Sequence, residues 1–191
     1  GCYPTAAILS ICPAIVSGIV EYDPIIIDAK SGVTGAGRKA SMSFFYSEVN
    51  EGLRAYKINS HQHMPEINQE LSKLADKKIS VTFCPHLVPM DRGILETIYL
   101  KLKKKMTLTQ VLKIYKRFYK TEPFVRVVDN ELYSTKSVIN TNFCDIGFRL
   151  KEDGKLLIVI SVIDNLLKGA AGQAIQNMNI ICGYPEESGL L

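Results

Sequence analysis

NFCDIGFRL (142–150), KEDG (151–154) and KLLIVISVI (155–163) form the stretch on which the fold turns. Two apolar runs flank four polar residues that close on Asp153-Gly154, the chemistry of a β-hairpin. The strands Asn142–Leu150 and Lys155–Ile163 are therefore expected to pair antiparallel. Working outward, GILETIYLKL (93–102) alternates as a strand with one wet face. Phe124–Val128 reads as a further strand, and Ile79–Val88 as another, bounded by Pro85 and Pro89. The β-branched run Asp23–Ala29 predicts a short buried strand. Helices are expected over Tyr3–Val20, kinked or broken at Pro13, and over Pro65–Lys77, with Ile67, Leu71 and Leu74 on its apolar face. A third spans Thr107–Tyr119 with Thr107 or Thr109 as N-cap, and a fourth, rich in small residues, spans Gly169–Ile181. Helices interleaved with hairpin-linked strands predict an α+β domain with a mixed, largely antiparallel sheet. With no repeat, low-complexity tract or linker, residues 1–191 read as one domain.

Composition narrows the function. Hydrophobic residues make up 47% of the 191, enough to fill a core. A net charge of +4, from 23 basic and 19 acidic residues, is too mild to argue for nucleic acid or a membrane surface. The basic run Lys101–Lys105 reads as the solvated end of an element. No apolar run reaches the about 18 residues of a membrane span. Five cysteines (Cys2, Cys12, Cys84, Cys144 and Cys182) are scattered and odd in number. That argues against a disulfide framework and for a reducing compartment. The absence of an initiator Met predicts that processing, or an upstream domain, precedes Gly1.

Four groups carry chemistry. GCYPT (1–5) puts Cys2 at or just before a helix N-terminus, with Pro4 in the first turn. Free N–H groups and the positive helix end there favour the thiolate, so Cys2 reads either as an activated nucleophile or as an ordinary half-buried cysteine near the chain end. His61-Gln62-His63 would aim both imidazoles at one site if extended, as an acid/base pair; two surface histidines before a helix is the alternative. A metal would need a third ligand, and only His86 remains, so no metal is expected. The glycine loop Ser31–Arg38 forms either an anion cradle, with Lys30 and Arg38, or a flexible turn; it is expected to extend through Lys39 to Asn59. Asn165 precedes Gly169-Ala170-Ala171-Gly172, a helix start nearly free of side chains and suited to close packing of a backbone or a flat ligand.

GCYPT, DAKSGVTGAGR, HQHMPE, PHLVPMDRGIL and VIDNLLKGAAGQAIQNMN, in this order, resemble N-acetyl-gamma-glutamyl-phosphate reductase from Gly1 to about Gly183. The resemblance covers the C-terminal part of that family's chain, without its N-terminal Rossmann NADP-binding domain. It implies a catalytic and dimerisation domain like the C-terminal domain of glyceraldehyde-3-phosphate dehydrogenase-like enzymes, with helices on one face of the sheet. Strands Gly93–Leu102 and Lys155–Ile163 would form interface sheet, and segment 164–183 would pack back toward the cofactor domain. The implied reaction is the NADPH-dependent reduction of N-acetyl-L-glutamyl 5-phosphate to the 5-semialdehyde through a thioester on Cys2, in cytoplasmic arginine biosynthesis.

By the same resemblance His63, with His61 close by, moves protons. Arg38, Tyr56 and Glu66 face the substrate, and Ser31, Gly32 and Asn165 the cofactor. The implied partners are a small acyl phosphate and further copies of the chain, with neither nucleic acid nor membrane. Family members often carry Arg between the two histidines and Thr before the Pro; Gln62 and Met64 stand here, and Gln62 is expected to point away from the pair. Two other readings stay open. One is a sister reductase acting on a carrier-bound aminoadipyl phosphate or an aspartyl phosphate. The other is a non-catalytic oligomerisation module, and without the nucleotide domain the 191 residues are expected to be inactive alone.

Overall fold

In the computed structural model, which describes residues 1–38, 41–129 and 133–191, the expected hairpin is present. It pairs β6 (Cys144–Leu150) with β7 (Leu156–Ile163), closing at Leu150–Leu157. The turn residue Gly154 has φ +66°, which a side chain would strain. The other strands are β1 (Val20–Ser31), β2 (Arg54–Ala55), β3 (Thr82–Leu87), β4 (Ile94–Leu102) and β5 (Val125–Val127). Their order across the sheet is β2-β3-β1-β4-β7-β6-β5. The pairs β1/β3 and β5/β6 are parallel and the other four antiparallel, so the α+β class with a mixed, largely antiparallel sheet holds.

Alternation decides which face is covered. Ile25, Ile27 and Ala29 of β1 are buried on the same side as Ile94, Ile98 and Leu100 of β4 and Leu157 and Val159 of β7. Each large side chain fully buried there is worth about 1.5–3 kcal/mol. α1 (Cys2–Val16) lies on this face against β1, β4 and β7, flanked by α3 (Met64–Ala75) and α4 (Leu108–Phe118). The opposite face of β4, with Leu95, Thr97 and Tyr99, stays half-exposed.

Pro13 does not break α1. A proline inside a helix removes one hydrogen bond to the carbonyl four residues back, at a cost of about 3 kcal/mol. That carbonyl, on Leu9, instead accepts from the Tyr119 hydroxyl, and the next, on Ser10, accepts from the Tyr115 hydroxyl at 2.7 Å. Tertiary structure therefore supplies the donors that the proline denies. The helix ends at Val16 rather than Val20, because Gly18 (φ +66°) turns the chain and Val20 already opens β1.

Other boundaries moved for similar reasons. β1 runs on through Lys30 and Ser31, which pair with β3 and β4, so the loop expected from Lys30 begins at Gly32. The expected loop from Lys30 to Asn59 contains 3-10 turns at Val33–Ala36 and Met42–Phe44, α2 (Tyr46–Val49) and β2; Lys39 and Ala40 lie outside the described residues. Of the apolar face expected on α3, Ile67 and Leu71 are buried but Leu74 is exposed. Thr107 is the N-cap of α4, in a capping box with Gln110. The last helix starts as a π-type turn, Leu167–Ala171, before α5 (Gly172–Cys182).

Candidate active site

Cys2 is the first residue of α1, with Gly1 as N-cap. It lines a cavity of about 360 Å³ with Tyr3, Ser31, Gly32, Tyr56, His61 and His63. The cavity is built by the start of α1, the end of β1 with its 3-10 turn, the 3-10 turn Met42–Phe44, the loop after β2, the entry to α3 and the end of β3. Behind Cys2 sits Gly169. A Cβ there would lie 2.7 Å from the Cys2 Cβ, so only glycine fits. The π-type turn brings it in: the Gly169 N–H donates to the Asp164 carbonyl at 3.0 Å. Asp164 is wholly buried and accepts from the N–H groups of Leu166 (2.8 Å), Leu167 (3.1 Å) and Asn140 (2.9 Å), which holds that turn.

The expectation of an activated thiol is corrected. Burial pushes the Cys2 thiol up, the Tyr3 backbone N–H pulls it down, and the buried Glu96 carboxyl raises it again. The helix end does act in the expected direction, but desolvation outweighs it. Glu96 itself is fully buried and neither carboxylate oxygen has a partner among the described residues, so burial holds its own pKa well above the usual range.

His61 and His63 converge on the cavity, though not by the expected extended backbone. They lie in the turn leading into α3, and His63 has helical angles as the residue before it. Their ring centroids are 4.8 Å apart, and Tyr3 meets both edge-on at 5.4 and 6.0 Å. The His63 N–H donates to His61 Nδ1 at 3.1 Å, which leaves the His61 proton on Nε2. Burial, then the charge of His63, lowers the His61 pKa to about 4. Burial lowers that of His63, against Glu66. Both imidazoles are thus neutral near pH 7. His63 Nε2 lies close to the Gly1 Cα, where a Cβ would stand 2.5 Å away, and its Nδ1 is buried without a partner. Gln62 lines the cavity rather than pointing away, because the turn replaces the strand geometry.

The remaining expected site residues divide. Tyr56 lines the cavity, and its hydroxyl lies 3.2 Å from that of Tyr3. Ser31 and Gly32 line it too, but a Cβ on Gly32 would meet the Asp91 carbonyl at 2.5 Å, so that glycine also serves backbone packing. Glu66 does not line the cavity. Arg38 is exposed and outside it. Asn165 is buried behind the wall. Its Oδ1 accepts from the Gly93 N–H at 2.7 Å and its Nδ2 donates to Thr34 Oγ1 at 3.0 Å, tying the 3-10 turn to the sheet. The sequence reading missed Tyr3 and Lys57, while Gly169, expected to allow close packing, does so against Cys2. Tyr3 and Lys57 each neighbour a residue already singled out, which was the available signal; Lys57 brings a cation to the cavity wall.

A family model described as semialdehyde dehydrogenase, dimerisation domain, matches residues 2–165. The chain is 52% identical over 192 residues to N-acetyl-gamma-glutamyl-phosphate reductase of Geobacillus sp. (strain WCH70). It is 53% identical over 193 residues to the same enzyme of Symbiobacterium thermophilum. Each alignment takes in 100% of this chain and 56% of the relative, so the chain spans about half the length of the curated relatives it matches. Among solved structures, aspartate semialdehyde dehydrogenase II from Vibrio cholerae superposes with a TM-score of 0.74 at 16% identity, over 97% of this chain and 62% of that one. Aspartate semialdehyde dehydrogenase from Francisella tularensis gives 0.73 at 18%, over 95% and 63%. At such identities the likeness is one of fold.

Proposed function

Because the chain belongs to the semialdehyde dehydrogenase dimerisation-domain family, we propose that it is the C-terminal catalytic part of an N-acetyl-gamma-glutamyl-phosphate reductase. The observation that carries this reading is the shared cavity of Cys2, His61 and His63, in a chain half identical to such reductases along its whole length. The substrate would be N-acetyl-L-glutamyl 5-phosphate and the product the 5-semialdehyde, a step of arginine biosynthesis in the cytoplasm. Identities of 52–53% to these reductases, against 16–18% to the aspartate enzymes, favour the acetylglutamyl substrate over the aspartyl one.

In this reading the Cys2 sulfur attacks the acyl carbon, the C–O bond to phosphate breaks, and a thioester remains on Cys2. A neutral His63 takes the thiol proton and gives it to the carbonyl oxygen as hydride adds. It then takes the proton back as the C–S bond breaks, which releases the aldehyde and returns the Cys2 thiol, while His61, through the His63 N–H, holds the turn that aims it. Lys57 and the Tyr56 hydroxyl, on the cavity wall, face the phosphate and the acyl chain. NADPH, when bound, supplies the hydride that takes the acyl carbon to the aldehyde level. The residues at the cavity mouth suit a flat ring beside Cys2: Ser31, Gly32, Gly35 and Ala36 are all small. Asn165 serves that side indirectly, by fixing the turn on which Gly35 and Ala36 lie. Arg38 and Glu66 do not line the cavity, so neither is given a substrate contact.

The exposed apolar residues Met178, Ile180, Ile181 and Tyr184, on and just beyond α5, support the proposal that segment 164–183 packs against a cofactor domain. The half-exposed face of β4 and β7 is the proposed contact with a second copy. Among the described residues no helix is long and apolar enough to cross a membrane. The test is NADPH oxidation with the acyl phosphate by the full-length protein. Cys2→Ala should abolish turnover and Cys182→Ala should leave it unchanged; turnover by the Cys2→Ala protein would sink the assignment. The isolated 191 residues should show none.

A further inference from the structure

On the sheet face away from α1, β1 and β3 bring together Asp28, Lys30, Cys84 and His86, with Asp28 paired to Cys84 and Lys30 to His86 in register. All four side chains are partly exposed. His86 Nδ1 lies 3.3 Å from the Ala29 carbonyl and 3.2 Å from Asp28 Oδ1. Both neighbours are acceptors only, so the ring proton sits on Nδ1 and Nε2 carries a bare lone pair. That Nε2 faces Cys84 Sγ at 4.0 Å. Asp28 is itself held by Lys30 through its other oxygen, and its neighbour on β4, Thr97, is uncharged. The Ala29 carbonyl orients the imidazole, the Asp28 carboxylate lies beside it, and Nε2 is presented to the thiol, the pairing of base and nucleophile that activates a thiol. None of these residues lines the cavity around Cys2. Among the described residues no group has the arrangement of a metal site, so the cluster is not read as one.

We propose that Cys84 is a second reactive thiol, activated by His86, and a site of reversible oxidation by hydroperoxides. His86 Nε2 takes the Cys84 proton. The thiolate sulfur attacks one peroxide oxygen, the O–O bond breaks, and the departing oxygen takes the proton from His86 as water or an alcohol. Cys84 becomes a sulfenic acid, oxidised by two electrons, while the peroxide is reduced by two. The site is open to a small reagent, whereas burial raises the thiols of Cys12 and Cys144 to about 11 and about 12 and withholds them from this chemistry. Cys182, exposed at the end of α5, has no imidazole beside it among the contacts described, so it serves as the internal control.

The experiment exposes the full-length protein to substoichiometric hydrogen peroxide, traps sulfenic acid with dimedone and reads each cysteine by mass spectrometry. Cys84 should be labelled about tenfold faster than Cys182, although it is less exposed. His86→Gln should lower the Cys84 rate about tenfold and leave that of Cys182 unchanged, and Asp28→Asn should lower it several-fold. A Cys84 rate no greater than that of Cys182, or one indifferent to both substitutions, overturns the proposal. So does a Cys84 that stays unlabelled in the assembled protein.

Discussion

Two thiol–imidazole pairs lie on opposite faces of one sheet. Cys2 with His61 and His63 sits under the start of α1, walled by Tyr3 and Gly169; Cys84 with His86 lies on the half-open face of β1 and β3. The first pair has the better cavity but pays in desolvation: its thiol is raised and both its histidines are lowered. The second has solvent, a backbone carbonyl orienting its histidine, a carboxylate beside it and no cavity. A neutral thiol beside neutral imidazoles is stable in a buried site until substrate brings charge; an exposed pair is open to whatever diffuses past. Enclosure suits a nucleophile meant for one substrate, and exposure suits a chemically indiscriminate one.

The contrast breaks most readily at His63. His63→Gln in the full-length protein should cut kcat/KM by about 10²–10⁴-fold and leave peroxide labelling of Cys84 unchanged. A loss below tenfold would remove His63 from proton transfer. Gly169→Ala is expected to come next. The added methyl meets the Cys2 Cβ, and a displacement of that kind costs about 10²-fold in turnover. Measured turnover close to the parent's would show that the wall behind Cys2 yields.

The third change sharpens the comparison through pH. His61 has a folded pKa of about 4, below the about 6.5 of an unfolded chain, so between those values the unfolded state binds more protons. The stability this group contributes is complete above pH 6.5 and is lost as pH falls toward 4. Thermal melts at pH 7 and pH 5 should therefore converge in His61→Gln relative to the parent, and an unchanged difference would contradict the buried neutral ring. The smallest effect is expected far from both thiols. Tyr119→Phe leaves the Leu9 carbonyl unpaired beside Pro13 and should cost about 1–3 kcal/mol by denaturant unfolding, with Cys84 labelling unchanged.

Local rules made much of this molecule legible. Asp153-Gly154 between two apolar runs can close a hairpin by its own turn chemistry, and GILETIYLKL shows its one wet face by period alone. Thr107 with Gln110 is a cap written in four residues. Five ordered motifs carried the family, because order along a chain survives where distance in space is unknown. Residues such as Lys30, Ser31 and Lys57 were harder. A strand's last residues are decided by the partners on either side, and a lysine's place on a cavity wall by the loop that carries it.

What only packing could decide is clearest at the two prolines of α1 and at the cysteine beside them. Pro4 sits in the first turn, where its missing N–H is not needed, whereas Pro13 is tolerated because Tyr119 supplies the missing donor to Leu9, 110 residues before it. Cys2 could be singled out as the candidate nucleophile from GCYPT and its companions, since residue type and helix position are properties of the chain. Its protonation was not, because desolvation and the neighbouring Glu96 carboxyl are properties of the enclosure, and enclosure exists only once α1, β4 and the Gly169 turn have closed on one another.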